Sequence, residues 1–263
     1  MKIKSYIKNK TKILFPDIYE KLHEIKCELT AKKNFKSKYP KTLILPNKTK
    51  SDNKRGHSQS EQDYYIYNTF FKDKKAGFFC DVGANHPLRI NNTLLFEKKG
   101  WKGFAFDPLP TALKLWRDCR EAIFFDTALS DFTGTTKFVI VDPENEYEGW
   151  ENMLSSVKEN QSVTAYKTKE IEVKASKLED ILNEKSINKI DYLSIDVEGH
   201  EIAVLNGIDF SKCKIMCISI ENNRDHQSQE AIRSLLINKG FVYHARIWNL
   251  DDIFISSDIF YNN

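Results

Sequence analysis

The sequence has no run approaching the roughly 18 consecutive apolar residues that a membrane-spanning helix needs. Its opening, MKIKSYIKNKTKILFP, breaks every short apolar stretch with lysine or asparagine. The expectation is an unsecreted, cytoplasmic chain. Cysteine is scarce: Cys27, Cys80, Cys119, Cys213 and Cys217 form an odd set without a CxxC pair. Three of them fall in apolar stretches, so reduced thiols acting as small hydrophobes are expected in place of a disulfide framework. Asn-x-Thr triplets at Asn9, Asn47 and Asn91 carry no glycosylation weight without a signal peptide. Internal repeats are absent.

What is present suits a folded enzyme. Of 263 residues, 41% are hydrophobic and 29% charged, too apolar for disorder and enough for one sizeable core with a small appendage. The net charge of +3 hides an asymmetry. Residues 1–56 carry 16 Lys and Arg against 5 Asp and Glu, leaving 24 against 32 for the rest. A basic arm on an acidic body suits contact with an anionic membrane surface, a nucleic acid or an acidic partner, or is a lysine-rich solvated helix. Residues 1–60 are accordingly expected to be a basic helical extension and linker, and residues 61–263 the catalytic domain.

Within residues 1–35 apolar residues recur at mostly helical spacing, interrupted by Pro16, which predicts two short helices. Residues 36–60 read as linker, with Leu43-Ile44-Leu45 as an anchor, and residues 61–75 as a helix. From Gly77 onward short β-rich runs alternate with helices, the pattern of βαβ units and a mostly parallel sheet with helices on both faces. Strands are expected at 78–82, 103–107, 122–127, 192–197 and 215–221, with helices near 92–99 and 111–119. Two β-branched runs, 137–141 and 169–175, predict a hairpin outside the main alternation. A closing antiparallel pair is expected at 241–247 and 252–256.

In doubly wound sheets the ligand lies at the carboxyl ends of the strands. The first apolar run ends in Asp81-Val82-Gly83-Ala84-Asn85, where a glycine permits a tight turn and a helix N-terminus favours a carboxylate. The loop lacks Gly-x-Gly-x-x-Gly, which disfavours a dehydrogenase. Asp107, about 26 residues after Asp81, ends the next strand and suits a pair of ribose hydroxyls. Asp126 to Asp131 forms a third strand end, placed to meet an adenine edge. The fourth, Asp196-Val197-Glu198-Gly199-His200-Glu201, crowds titratable groups where a general base is expected, with helix capping as the plainer account of Glu201. Glu221 and Asn222 end the next strand and, with Asp196, offer oxygen ligands suited to Mg2+.

These segments resemble the FkbM family of methyltransferases: DVGAN at 81–85, GWKGFAFDPLP at 100–110, TALSD at 127–131, KLEDIL at 177–182, IDVEGHE at 195–201 and ISIEN at 218–222. The resemblance covers roughly residues 77–223. It implies a class I, Rossmann-like methyltransferase fold, S-adenosylmethionine as cofactor and O-methylation, often of sugars or glycosylated natural products. It implies that Asp81, Gly83, Ala84 and Asn85 hold the methionine end, Asp107 with Pro108 the ribose, Asp126 and Ala128 the adenine neighbourhood, and that Asp196 sits beside the methyl donor. After Asn85 this sequence departs from the usual family pattern: His86-Pro87-Leu88-Arg89-Ile90-Asn91-Asn92-Thr93 stands where a glycine and a small residue are usual.

Methyl transfer to an alcohol needs alignment and removal of one proton, and Asp196, Glu198 and His200 are the expected bases. His86, Arg89, Asn91 and Asn92, together with Glu221 and Asn222, are placed to hydrogen-bond a polyhydroxylated acceptor, although capping accounts equally well for Asn91. Among the tryptophans, Trp150 best suits a sugar ring, the others being core or rim. The expected acceptor is a small molecule or glycan. A protein, nucleic-acid or non-sugar acceptor, and a non-catalytic binding module, are the rival readings. The acidic body argues against nucleic acid.

Overall fold

The computed structural model describes residues 33, 35–45, 56–141, 155–157, 168–247 and 250–262. The two expected N-terminal helices, Cys27, Trp150 and Trp248 lie outside them. The chain divides into two compact units, Met1–Thr42 and Leu43–Asn263. In the first, residues 35–38 are helical and the aromatic rings of Phe35 and Tyr39 meet at 5.3 Å. All that follows concerns the second.

The second unit begins with strand β1 (Leu43–Leu45), so the residues read as a linker anchor are part of a sheet. Residues 56–60, also read as linker, are tied down: His57 N–H and Ser58 Oγ donate to the two oxygens of Asp63, each at 2.6 Å. The compact unit that carries this sheet begins at Leu43. The helix expected over 61–75 is helix α1 (Gln62–Ile66) running into a π-helical turn (Tyr67–Phe71).

Three apolar runs become adjacent strands: β2 (Phe78–Val82), β3 (Lys102–Phe106) and β9 (Lys189–Ile195). Consecutive residues in each are buried, as expected where both faces of a sheet are covered. Within the expected 122–127 strand, Ile123–Phe125 form β4 in the main sheet, and β5 (Ala128–Leu129) follows just beyond it in another. β10 (Lys214–Glu221), β11 (Phe241–Ile247) and β12 (Asp251–Ser256) complete the main sheet, in the order β1-β11-β12-β10-β9-β2-β3-β4. β12 runs antiparallel to both of its neighbours, while the other neighbouring pairs are parallel.

A second sheet holds β6 (Gly134–Val141), β7 (Ser156–Val157) and β8 (Thr168–Ser176) with β5, in the order β5-β8-β6-β7. Its β6 and β8 are the expected hairpin outside the main alternation, paired from Gly134↔Ala175 to Val141↔Thr168. The α/β reading therefore holds, but the sheets are mixed, and the expected mostly parallel sheet is met only in part.

Helices follow the strands in sequence: α2 (Leu94–Lys98) after β2, α3 (Pro110–Cys119) after β3, α4 (Leu178–Glu184) after β8, α5 (Glu201–Asn206) after β9, α6 (His226–Asn238) after β10 and α7 (Ser257–Asn262) after β12. Pro110 opens α3 where its missing N–H costs nothing. Asp225 caps α6 by accepting from Gln227 and Ser228 N–H. The core is aromatic, with Phe96 and Tyr192 rings at 4.5 Å and Trp101 against Phe71 at 5.1 Å. Trp116 is fully buried, and among the described residues no helix is long and apolar enough to cross a membrane.

One charged cluster lies inside this core. Asp252 on β12, wholly buried, accepts from Arg233 Nε at 2.8 Å and Arg246 at 2.6 Å, and from Tyr243 Oη and Asn222 Nδ2 at 2.5 Å each. The cluster joins β10, β11, β12 and α6. Removing the acid takes the buried carboxylate from two guanidinium groups, of which Arg233 keeps Glu230, so Asp252→Ala is expected to cost about 3 kcal/mol in urea unfolding. A variant as stable as the parent would show that the cluster contributes nothing.

Candidate active site

The sheet order reverses direction between β2 and β9: from β2 the chain proceeds outward through β3 and β4, and later returns to β9 and β10 on the other side. A cavity of about 450 Å3 opens at the carboxyl ends of these strands, the size and place at which open α/β sheets bind ligands.

Backbone geometry shapes its floor. Val82 carbonyl accepts from Asp196 N–H at 2.9 Å, and Gly83 and Ala84 N–H both donate to Phe106 carbonyl. Gly83 has φ +78, and a Cβ there would lie 1.7 Å from the carbonyl oxygen of Asp196, so no side chain fits. Asn85, Ile90 and Glu198, all lining the cavity, have positive φ of 39, 47 and 52. For a β-branched residue such as Ile90 this is a marked departure, and such strain gathers at ligand sites.

The loop after β2 is held by one buried polar network. Asp81 Oδ2 accepts from Thr93 Oγ1 at 2.7 Å and Asn91 Nδ2 at 3.2 Å. Asn91 Oδ1 in turn accepts from Thr93 and Leu94 N–H, capping α2, and from Arg120. Arg120, buried over the Trp116 ring, also pairs with Glu97 at 2.8 Å. Asn91 thus bonds the first turn of α2 and also lines the cavity. Asn92 lines the cavity, donating to Ser194 Oγ and accepting from Gln62. His86 Nδ1 accepts from Leu88 and Arg89 N–H, and neither His86 nor Arg89 lines the cavity.

Asp107 lines the cavity, each carboxylate oxygen accepting one backbone N–H at 2.8 Å, from Asn85 and Leu109. A carboxylate oxygen has two lone pairs, so each keeps one for a ligand hydroxyl. Burial pushes Asp107 up to about 6 against the pull of those donors. Pro108 and Ala128 line the cavity beside it. Asp126 does not: it faces solvent in an ion pair with Lys174, and Thr127 stands at the cavity in its place.

Opposite lie the acids after β9 and β10. Asp196, Glu198 and Glu221 bring carboxylate oxygens within 4.8 Å of one another, a set that could hold a metal ion. Burial and then its carboxylate neighbours, Glu198 first, hold Asp196 well above the usual range. The same causes, burial and then Asp196, push Glu221 up to about 11. Burial raises Glu198 as well, with Arg224 at 3.8 Å opposing it. Asp251, next to Asp252, is lifted to about 7 by burial. His200 lines the cavity and its Nε2 meets Ser130 Oγ at 3.0 Å. Glu201 accepts from Gly199 N–H and caps its own turn, the plainer account given to it. Asn222 faces the core, donating to Asp252 and Gln229 carbonyl, and Asn223 lines the cavity instead. Asn222 therefore does not line the cavity, and among the described residues the carboxylates close enough together to hold a metal ion are Asp196, Glu198 and Glu221.

Several lining residues escaped the sequence reading. Phe138, Ser155 and Val157 come from the second sheet and its edge, Gln59 from the stretch read as linker, and Leu250 from the turn before β12. With Leu109 and Ala128, the first of these form an apolar wall. Local sequence does not say which cavity such residues face.

Raised carboxylates make stability depend on pH with a fixed sign. A group whose folded pKa lies above its unfolded value stabilises below the unfolded value and loses that contribution as pH rises through the folded one. For Asp107 and Asp251 that loss spans roughly pH 4 to 7, so the protein is expected to melt higher at pH 5 than at pH 8. Asp107 alone accounts for roughly 1 kcal/mol, or about 2–4 °C. Glu221→Gln is expected to raise the melting temperature at pH 8. A melting temperature that rises from pH 5 to 8 would contradict this electrostatic account.

The methyltransferase FkbM domain profile matches residues 81–243, opening on Asp81 and spanning every cavity-lining residue except Gln59 and Leu250. Comparison with curated proteins and with solved structures gave no match. The match covers well over half of the chain, from β2 to β11, and the chain therefore belongs to the FkbM methyltransferase family.

Proposed function

We propose that this protein is an S-adenosylmethionine-dependent O-methyltransferase that modifies a hydroxyl of a sugar or glycan precursor, on a class I methyltransferase fold. The observation that carries the reading is the cavity at the β2/β9 reversal, with Asp107 on one side and the Asp196, Glu198 and His200 group on the other. Membership of the family supplies methyl transfer, and S-adenosylmethionine follows from that chemistry.

The residues fit such a cofactor. The apolar wall of Leu109, Ala128, Phe138 and Val157 suits a purine, and Asp107 retains acceptor capacity for ribose hydroxyls. Gly83, Ala84 and Asn85 bring backbone close to the methionine end, and Asp81 and Asp196 offer acceptors for its ammonium group. The cofactor supplies an electrophilic methyl carbon on a sulfonium; forming the new C–O bond breaks the C–S bond, leaves the electron pair on sulfur and releases the acceptor's hydroxyl proton.

The chain must then orient the acceptor and take that proton. His200, Asp196 and Glu198 face the cavity, and we assign the proton to His200, whose ring is held by Ser130. Asn92, Asn223 and Glu221, with both hydrogen-bond donors and acceptors, suit a polyhydroxylated acceptor. Mg2+ belongs to the same proposal: Asp196, Glu198 and Glu221 are hard oxygen donors of the type it takes, and it would offset their mutual repulsion.

Two measurements test the reading. Calorimetry should show S-adenosylmethionine binding, weakened by about 1–3 kcal/mol in Asp107→Ala, the cost of leaving ribose hydroxyls without an acceptor. An unchanged affinity removes Asp107 from the ribose. S-adenosylhomocysteine release should be stimulated by free, nucleotide-linked or polymer-linked sugars, and His200→Asn should slow that turnover about 10²–10⁴-fold with cofactor affinity kept. Stimulation by protein or tRNA alone would move the acceptor to another class.

A further inference from the structure

The segment just before α1 lies outside the residues that match the family profile, yet it reaches the cavity through Gln59. Several bonds tie it down. Asp63, wholly buried, accepts from His57 N–H and Ser58 Oγ, and a Cβ on Gly56 would lie 2.2 Å from its Oδ1. The carbonyl of His57 accepts from Asn91 N–H at 3.2 Å, which joins the segment to the loop after β2. Glu61 has a positive φ of 59, a conformation that costs a residue with a side chain, and delivers Gln62 into the interior.

A backbone N–H can only donate, and here it sets the direction of two side-chain amides in series. Ser60 N–H donates to Gln62 Oε1 at 3.0 Å, so the nitrogen of that amide points the other way and donates to Asn92 Oδ1 at 3.1 Å. Asn92 Nδ2 in turn donates to Ser194 Oγ at 3.0 Å. An amide nitrogen carries two hydrogens and an amide oxygen two lone pairs. Among the described residues the partners of the Asn92 side chain are Gln62 and Ser194, which leaves one N–H and one lone pair on a residue that lines the cavity. Gln62 is buried and does not line it.

We propose that Gln62 is a positioning residue that fixes the orientation of the Asn92 amide, and that Asn92 recognises one hydroxyl of the acceptor through its remaining N–H and lone pair. The inference deepens the reading of a polyhydroxylated acceptor made above and rests on it. A hydroxyl accepts as well as donates, which matches that pair of groups. Ser194, the anchor of Asn92, lies on β9, the strand whose end carries Asp196, and β2 stands between it and β3, whose end carries Asp107. The amide is thus held on the side of the proton-accepting group and not on that of the ribose. Choice of acceptor then depends on residues that precede the family-matched region.

The test measures S-adenosylhomocysteine release by the full chain. The probe is whichever of a set of free monosaccharides and their uridine and guanosine diphosphate esters stimulates wild type most, together with its monodeoxy analogues. Wild type is expected to reject one deoxy position by about 10- to 100-fold in kcat/KM, the cost of leaving the Asn92 amide unpaired. Asn92→Ala should abolish that discrimination and keep cofactor affinity. Gln62→Glu still accepts from Ser60 N–H but, ionised, has no hydrogen for Asn92 Oδ1, so the Asn92 amide must turn over. Gln62→Met fills the same space and bonds neither. Both should weaken discrimination at the same deoxy position, although residue 62 does not line the cavity; a general loss of fold would slow every analogue alike. Discrimination unchanged in Asn92→Ala, or in both Gln62 variants, overturns the inference. So does a loss confined to S-adenosylmethionine affinity in calorimetry, which would assign the segment to the cofactor. If no sugar stimulates wild type although the cofactor binds, the sugar reading falls, and this inference with it.

Discussion

The site depends first on how closely two backbones approach at the reversal of the sheet. Val82 and Asp196 share a hydrogen bond, and Gly83 passes so near the Asp196 carbonyl that a single added carbon would overlap it. Here the chain leaving β2 must bend under the chain leaving β9, and only a residue without a Cβ permits it. From that contact the loop to Asn91 and the turn through Gly199 diverge, and the cavity is the space between them. The strained residues around it are held by networks such as Arg120, Asn91 and Asp81, which bind the loop to the core.

A second theme is the concentration of negative charge. Burial raises Asp196, Glu198, Glu221 and Asp251, and neighbouring carboxylates, Glu198 beside Asp196 and Asp196 beside Glu221, add to the shift of Asp196 and Glu221. Asp252, a neighbour of this group in sequence, meets two arginines and is absorbed into the core. The same residue type thus has opposite fates across one peptide bond: Asp252 is spent on structure, and Asp251 belongs to the charge field of the site. Such a concentration of acid opposes its own ionisation and suits a proton, a cation or hydroxyl donors.

Much of this was legible in the sequence. An apolar run that ends in Asp-x-Gly-x-Asn, followed about 26 residues later by another that ends in Asp-Pro, places two acids at consecutive strand ends, and the structure brings both to one cavity. The hairpin of β6 and β8 was legible from β-branched composition. Local pattern fails where the answer depends on which way a strand end turns. Asn222 and Asn223 are chemically identical neighbours, yet pairing with Asp252 claims the first and leaves the second to the cavity. Asp126 and Thr127 exchange roles for the same reason, because Lys174 draws the acid outward. Gln59, Phe138 and Leu250 arrive through tertiary contacts that no window of adjacent residues contains.

The antiparallel strand β12 sits between β10 and β11, although it follows both in the chain. During synthesis the edge of β10 therefore has no partner until Asp251–Ser256 emerges, and β1, some 200 residues earlier, waits for β11 to pair with it. The half of the sheet that carries the acids is the last to be closed. Pairing over so long a stretch of chain is slow, and an open β10 edge is a template for wrong partners. Pairing of β12 with both β10 and β11 is the step that removes this template.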